Sequence, residues 1–245
     1  MTDFLNAIVL LTNFVLLPAI TYGSQLALGA LGVTLIYAVL RFSNFAQGET
    51  MAMGTALAII FTTLLQSAGV SLGVLPTALL GMLPAIVIMW GVVLLTDRWV
   101  YHYYRTKKSK SIVFVMASVG VMFVMNGLVR FLLGAGDRNF EDGERFILSA
   151  ADFKLMTGLE EGLAIKTTQV ITIVLAAILV IALFWFLQKT KTGKSMRAYS
   201  DNENLALLSG IDPNRIVRTT WIIAATLTVI AGVLYGLDKG YKPLS

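Results

Sequence analysis

Seven runs of apolar residues alternate with short polar stretches along this chain. They lie at roughly 4–20, 23–40, 51–67, 77–96, 111–134, 168–187 and 219–237. Most reach the roughly 17–25 residues needed to cross a bilayer's hydrocarbon core. The runs are continuous and lack the roughly ten-residue alternation of a membrane barrel. Lipid offers no partner to backbone N–H and C=O groups, so each run is predicted to be a helix. The first run is the least regular, with Asn6, Thr12, Asn13 and Pro18 inside it. A cleaved signal peptide would open on Lys or Arg, but Met1-Thr2-Asp3 does not, and no small-x-small cleavage site is evident. An uncleaved helix is therefore expected.

Composition supports the same class. Of 245 residues, 57% are hydrophobic and only 13% are charged, against about 25% charged in a soluble domain. Mean hydropathy is +0.78. These values exclude a disordered tail, a disulfide scaffold and an ordinary soluble enzyme. The predicted fold class is an all-α polytopic membrane bundle, with residues 1–245 as one domain of about seven spans. The small-residue-rich last run ends close to Ser245, and the chain is expected to continue beyond it.

Charge sets the expected orientation. The 97–111 loop holds Arg98, Arg105, Lys107, Lys108 and Lys110 against Asp97. The 188–218 loop holds Lys189, Lys191, Lys194, Arg197, Arg215 and Arg218 against three acids. Lys and Arg concentrate in cytoplasmic loops, so both are predicted cytoplasmic. The 135–167 loop carries seven acids and four bases and is predicted external. Counting seven spans back places the N-terminus in the cytoplasm. The net charge of +5 then reflects topology, and nucleic acid is not an expected partner.

Candidate chemistry is sparse. There is no cysteine, and His102 is the only histidine. It sits among Tyr101, Tyr103 and Tyr104, which read as an interfacial aromatic belt. No catalytic residue, metal site or cofactor is expected in the chain. Thr192-Gly193-Lys194-Ser195 is not a phosphate-binding loop, because the required upstream glycine is Gln188. No run has a central Asp or Glu, which argues against a carrier driven by protons or sodium. Asn126 is the clearest uncharged polar group at depth. Along the last run Ala224, Thr228, Gly232 and Gly236 recur every four residues, a ladder suited to close helix packing within the chain or at a subunit interface.

Two segments stand out. The first is Arg41-Phe42-Ser43-Asn44-Phe45-Ala46-Gln47-Gly48-Glu49-Thr50, which is either a plain turn or a broken-helix segment lining a pathway. The second is a cytoplasmic loop of about 30 residues, and loops that long are usually functional. A short amphipathic helix is expected near 200–211, N-capped by Ser200 or Asp201 with acids such as Glu203 in its first turn. Leu205, Leu208 and Ala206 would form its apolar stripe. Gly210 fits its C′ position and Pro213 stops it. A docking element for a cytoplasmic partner is favoured over a helix resting on the membrane.

Both segments resemble the permease subunits of bacterial ABC importers for branched-chain amino acids. Asn44-Phe45-Ala46-Gln47-Gly48-Glu49 is similar to that family's early motif, with Gln47 where a histidine is frequent. Thr192 through Ala198, then Asp201, Asn202, Ala206, Leu208, Gly210-Ile211 and Arg215, resemble its late cytoplasmic loop. The resemblance covers about residues 20–240. It implies a non-catalytic translocation subunit in the bacterial inner membrane. The implied partners are membrane lipid, a second permease subunit, an external binding protein, and two ATPase subunits that bind the ATP. Arg197, Asp201, Glu203, Leu205, Ala206, Leu208, Gly210 and Ile211 would form the coupling loop. Asn44, Gln47, Gly48, Glu49 and Asn126 are candidates for the solute pathway. Permeases for urea and short amides resemble the early motif as well, and sugar permeases share the late loop. A channel, a secondary carrier and a membrane-embedded enzyme are the rival classes.

Overall fold

A computed structural model describes residues 2–70, 73, 75–134, 136, 140, 146–159 and 161–240. The fold is an all-α polytopic bundle, and among the described residues six helices are long and apolar enough to cross a membrane. The expected first and second spans are one helix. Here α1 (Thr2–Leu11) continues through a π turn (Thr12–Leu16) into α2 (Leu17–Leu40). Pro18 sits in the first turn of α2. Its missing N–H and ring bulk are absorbed by the wider π turn, not by a chain reversal. At 1.5 Å per residue this helix is roughly 57 Å long, well beyond the roughly 30 Å of a hydrocarbon core.

The remaining spans are α3 (Gln47–Ser67), α4 (Ala78–Thr96), α6 (Ser111–Leu133), α8 (Thr167–Lys189) and α11 (Pro213–Lys239). A second π turn (Asp97–Tyr101) extends α4 into α5 (His102–Thr106). The expected 97–111 loop is therefore helical as far as Thr106, and only a short connection joins α5 to α6. Between α6 and α8 lie β1 (Phe146–Leu148), α7 (Ala150–Thr157) and β2 (Ile165–Lys166). The two strands pair antiparallel, Phe146 opposite Lys166 and Leu148 opposite Ile165, with an irregularity between. Ser149 caps α7 by accepting the Asp152 N–H. Most of the acids expected in the 135–167 loop, and residues 241–245, lie outside the described residues.

The 188–218 stretch is not a loop either. It holds α9 (Lys191–Asp201) and α10 (Glu203–Leu208) and runs straight into α11. Merging the first two spans also moves the N-terminus. The Asn13 side chain accepts from the Ala164 N–H at 3.4 Å and donates to the Gly162 carbonyl at 3.5 Å. At the helix's other end, Ser200 Oγ donates to the Ala38 carbonyl at 2.9 Å. The N-terminal end therefore shares a side with the 135–167 loop and lies opposite α9 and α10. The expectation that put the N-terminus with the 188–218 loop is corrected.

The core is built around α11, which packs on α2, α3 and α4, while α6 leans on α3 and α8 on α2. Glycine lets these backbones meet. A Cβ on Gly54 would come within 2.5 Å of Val229 Cγ2. One on Gly232 would collide with Thr55 Oγ1 and lie 2.9 Å from the Met51 carbonyl oxygen. Ala224, Thr228, Gly232 and Gly236 are all buried and face neighbours within the chain. Buried threonines are satisfied locally. Thr50, Thr62 and Thr220 each donate to the carbonyl four residues earlier, which lets hydroxyls sit in a span without an orphan donor.

Candidate functional site

The 41–50 segment forms a short connection wired into the bundle. α2 ends where Arg41 adopts a left-handed conformation, with φ of 58°, and its N–H bonds to the Tyr37 carbonyl. A few residues later α3 begins. Asn44 is buried and makes an Asx-type turn, its Oδ1 accepting the Ala46 N–H at 3.2 Å. The same oxygen accepts the Tyr101 hydroxyl at 3.1 Å. Its Nδ2 donates to Gln47 Oε1 at 3.3 Å, and Gln47 Nε2 donates to Thr228 Oγ1 on α11. The Phe45 N–H donates to Ser118 Oγ on α6 at 3.1 Å. Irregular backbone is thus supported by side chains from three helices, as burial in a membrane demands. A cavity lined in part by Asn44, Thr50 and Tyr101 is about 10 Å³, at the threshold for one water. The segment is a short turn that buries Phe42, Asn44 and Ala46 and leaves Arg41, Ser43 and Phe45 exposed.

The candidate pathway residues therefore divide. Asn44 and Gln47 spend their amides on internal bonds. Gly48 is exposed, with open space where a Cβ would sit. Glu49 is 6% exposed and faces α6, where its Oε1 accepts from Asn126 Nδ2 at 3.1 Å. Its Oε2 is buried with no hydrogen-bond partner among the described residues. A buried carboxyl oxygen without a donor is costly, and this one lies at the α3–α6 seam.

Below the turn lies a second network that sequence spacing did not point to. Asp97, expected in a loop, is buried. It takes both Arg105 nitrogens, at 2.7 and 2.9 Å, and the Trp221 indole N–H at 2.8 Å. Tyr101, expected in an interfacial belt, is fully buried and stacks on Trp221 with centroids 5.4 Å apart. Positions eight apart are roughly 80° out of phase on a regular α-helix. The extra residue held by a π turn removes roughly that offset and brings Asp97 and Arg105 to one face. An acid placed just after Val92-Val93-Leu94-Leu95-Thr96 was the available signal.

The α9–α10 pair is built in the opposite way. Thr190 caps α9 by accepting the Gly193 N–H at 3.0 Å. Asn202, not Ser200 or Asp201, caps α10 by accepting the Leu205 N–H at 3.1 Å. Ser200 and Asp201 instead close α9. Gly210 has φ of 79°, so it ends α10 as a C-terminal glycine should, and Asp212 caps α11 through the Asn214 N–H. Met196, Tyr199 and Ala206 are buried beneath the pair. The Tyr199 hydroxyl donates to Glu203 Oε1 at 2.8 Å. Burial first, then that bond, raise its pKa above the ordinary tyrosine value. Arg197, Asp201 and Glu203 point outward, and Ile211 is half-buried. Leu205 and Leu208 are 61% and 85% exposed, whereas Ala206 is 3% exposed. The expected stripe is thus an outward leucine pair, with Ala206 on the inward side. Arg41 donates to the Ser200 carbonyl and so ties this pair to the 41–50 turn.

The chain is similar to known proteins over most of its length. The family described as branched-chain amino acid transport system, permease component, matches residues 15–245. The high-affinity branched-chain amino acid transport system permease protein LivH of Escherichia coli strain K12 is 26% identical over 224 residues, covering 90% of this chain and 69% of LivH. BraD of Pseudomonas aeruginosa, with the same descriptive name, is 25% identical over 230 residues, covering 92% of this chain and 71% of BraD. A probable LivH of Methanocaldococcus jannaschii is 27% identical over 227 residues, covering 91% of this chain and 65% of that protein. No solved structure matches the chain.

Proposed function

The chain belongs to the branched-chain amino acid transport permease family, and from that premise we propose that it is the non-catalytic translocation subunit of an ATP-driven importer for hydrophobic amino acids. It binds no cofactor itself. Two ATPase subunits bind and hydrolyse ATP, a second permease subunit completes the pathway, and an external protein delivers the solute. The basic 188–218 stretch faces the cytoplasm, and the N-terminal end and the 135–167 loop face outward from the inner membrane.

The observation that carries this reading is the outward leucine pair of α10. Leu205 and Leu208 stand exposed on a helix fixed at both ends by Asn202 and Gly210. A capped, rigid helix with a small apolar face suits insertion into a groove on a partner. Force on it passes through Arg41 and Ser200 to α2 and the 41–50 turn. The spans then exchange between outward-open and inward-open arrangements, biased by the contacts made in each. Asn44 and Gln47 hold the turn, while Glu49 and Asn126 remain the candidates to meet the solute, at a seam that a second subunit completes.

The test replaces Leu208 with Asp, or Gly210 with Val, and measures co-purification with the ATPase subunits. Both substitutions are expected to lose the ATPases and solute-stimulated ATP hydrolysis. Unchanged association with unchanged coupled hydrolysis would refute the docking role. Transport by the purified chain alone in liposomes would favour a carrier instead.

A further inference from the structure

A cavity of about 680 Å³ opens where the end of α4, the second π turn and α5 face the first turns of α11. It borders the second network, whose Asp97 and Arg105 form part of its lining, and lies apart from the 41–50 turn. One wall follows a single stripe, with Gly91, Leu94, Leu95 and Arg98 at helical i, i+3, i+4 and i+7 spacing, which the π turn carries on to His102. The facing wall presents Asn214 and Arg218, one turn apart on α11. Asp97 lines the cavity too, but its carboxylate is spent on Arg105 and Trp221. The remaining charge is positive. Among the described residues, neither Arg98 nor Arg218 has a hydrogen bond or ion pair, and both are exposed.

The depth of the cavity identifies its ligand. Trp99 is 75% exposed and Tyr103 is also exposed beside it, the placement of aromatic side chains at headgroup level. Leu95 is 48% exposed and continues the outward apolar surface of α4, with the half-buried Leu94 beside it. We propose that the cavity holds an anionic phospholipid, with Arg98 and Arg218 on the headgroup phosphate and an acyl chain along Leu94 and Leu95. Basic pockets between spanning helices take such headgroups. A soluble phosphate would use the arginines but not the apolar wall. The site is independent of which solute is carried.

The experiment titrates the detergent-purified chain with phosphatidylglycerol or phosphatidylcholine of matched acyl chains and counts bound lipid by native mass spectrometry. Phosphatidylglycerol is expected to bind more tightly. The double variant R98Q/R218Q should weaken it by about fivefold per arginine, the contribution of one surface charge near anionic lipid. R98K/R218K should restore most of it. K107Q/K108Q removes equal charge at the same membrane edge but outside the cavity, and should leave binding unchanged. Should the double variant lose monodispersity on gel filtration, each single substitution is read against its own fivefold expectation. Equal binding of the two lipids, an unaffected R98Q/R218Q, or an equal loss in K107Q/K108Q would overturn the proposal. Displacement of the lipid by millimolar inorganic phosphate would reassign the cavity to a free anion. Intact lipid binding with loss of the ATPase subunits would reassign it to a protein partner.

Discussion

The two segments between spanning helices that carry the most distinctive residues are built in opposite ways. The 41–50 turn is short, buries Phe42, Asn44 and Ala46, and is crossed by bonds from α6, α11 and the second π turn. The α9–α10 pair is capped from within, buries only Met196, Tyr199 and Ala206 among its larger side chains, and holds its leucines outward. Polar residues in the first act as internal structure. In the second, polar residues fix an apolar surface for something else. The difference shows that unusual composition in a membrane loop marks either a demanding piece of architecture or an interface, and that satisfaction of hydrogen bonds tells them apart.

Substitutions should separate the two, beginning with the core that both lean on. Gly232→Val drives two methyl groups into Thr55 and the Met51 carbonyl. Overpacking of this kind costs about 3 kcal/mol, and the protein should fail to elute as a monodisperse species. Asp97→Asn breaks the pair with Arg105 beneath the turn. Arg105 is partly exposed and the substituted amide keeps an acceptor oxygen, so the cost is about 2 kcal/mol, below that of breaking a fully buried pair, and Tm in detergent should fall while Leu208 keeps its place. Glu49→Gln distinguishes architecture from pathway inside the turn region. If Oε2 meets a cationic group, transport should fall by about tenfold, the scale of a charged hydrogen bond. Tm should hold, because the isosteric amide oxygen still accepts from Asn126; unchanged transport would return Glu49 to structure. Leu208→Asp should move stability least, within about 0.5 kcal/mol for an exposed site, yet abolish ATPase association. A large drop in Tm there would mean that Leu208 is packed and that the contrast between the two segments is false.

Much of this is legible in the residue pattern. The apolar runs mark the spans, and the spacing of Ala224, Thr228, Gly232 and Gly236 marks a packing face. Gly210 marks the end of a short helix near the right place. The differences cluster where the backbone departs from the regular α-helix. The runs 4–20 and 23–40 read as two spans, but the π turn at Thr12–Leu16 absorbs Pro18 and the helix runs on to Leu40. Asp97 and Tyr101 read as loop and belt from the basic and aromatic residues around them, and only the second π turn brings Asp97 and Arg105 to one face. Asn202 does not stand out as a cap, because nothing in the local pattern separates α9 from α10.

The sequence by itself therefore determined that this is a helical membrane bundle and where its two special segments lie. Hydrophobic length and the cost of unsatisfied backbone in lipid leave few alternatives. Only the tertiary structure decided which side the N-terminus shares, which amides are used up inside the turn, and that Asp97 is a core residue. Those outcomes depend on helix phase and on partners far away in the chain, and neither is written in local spacing.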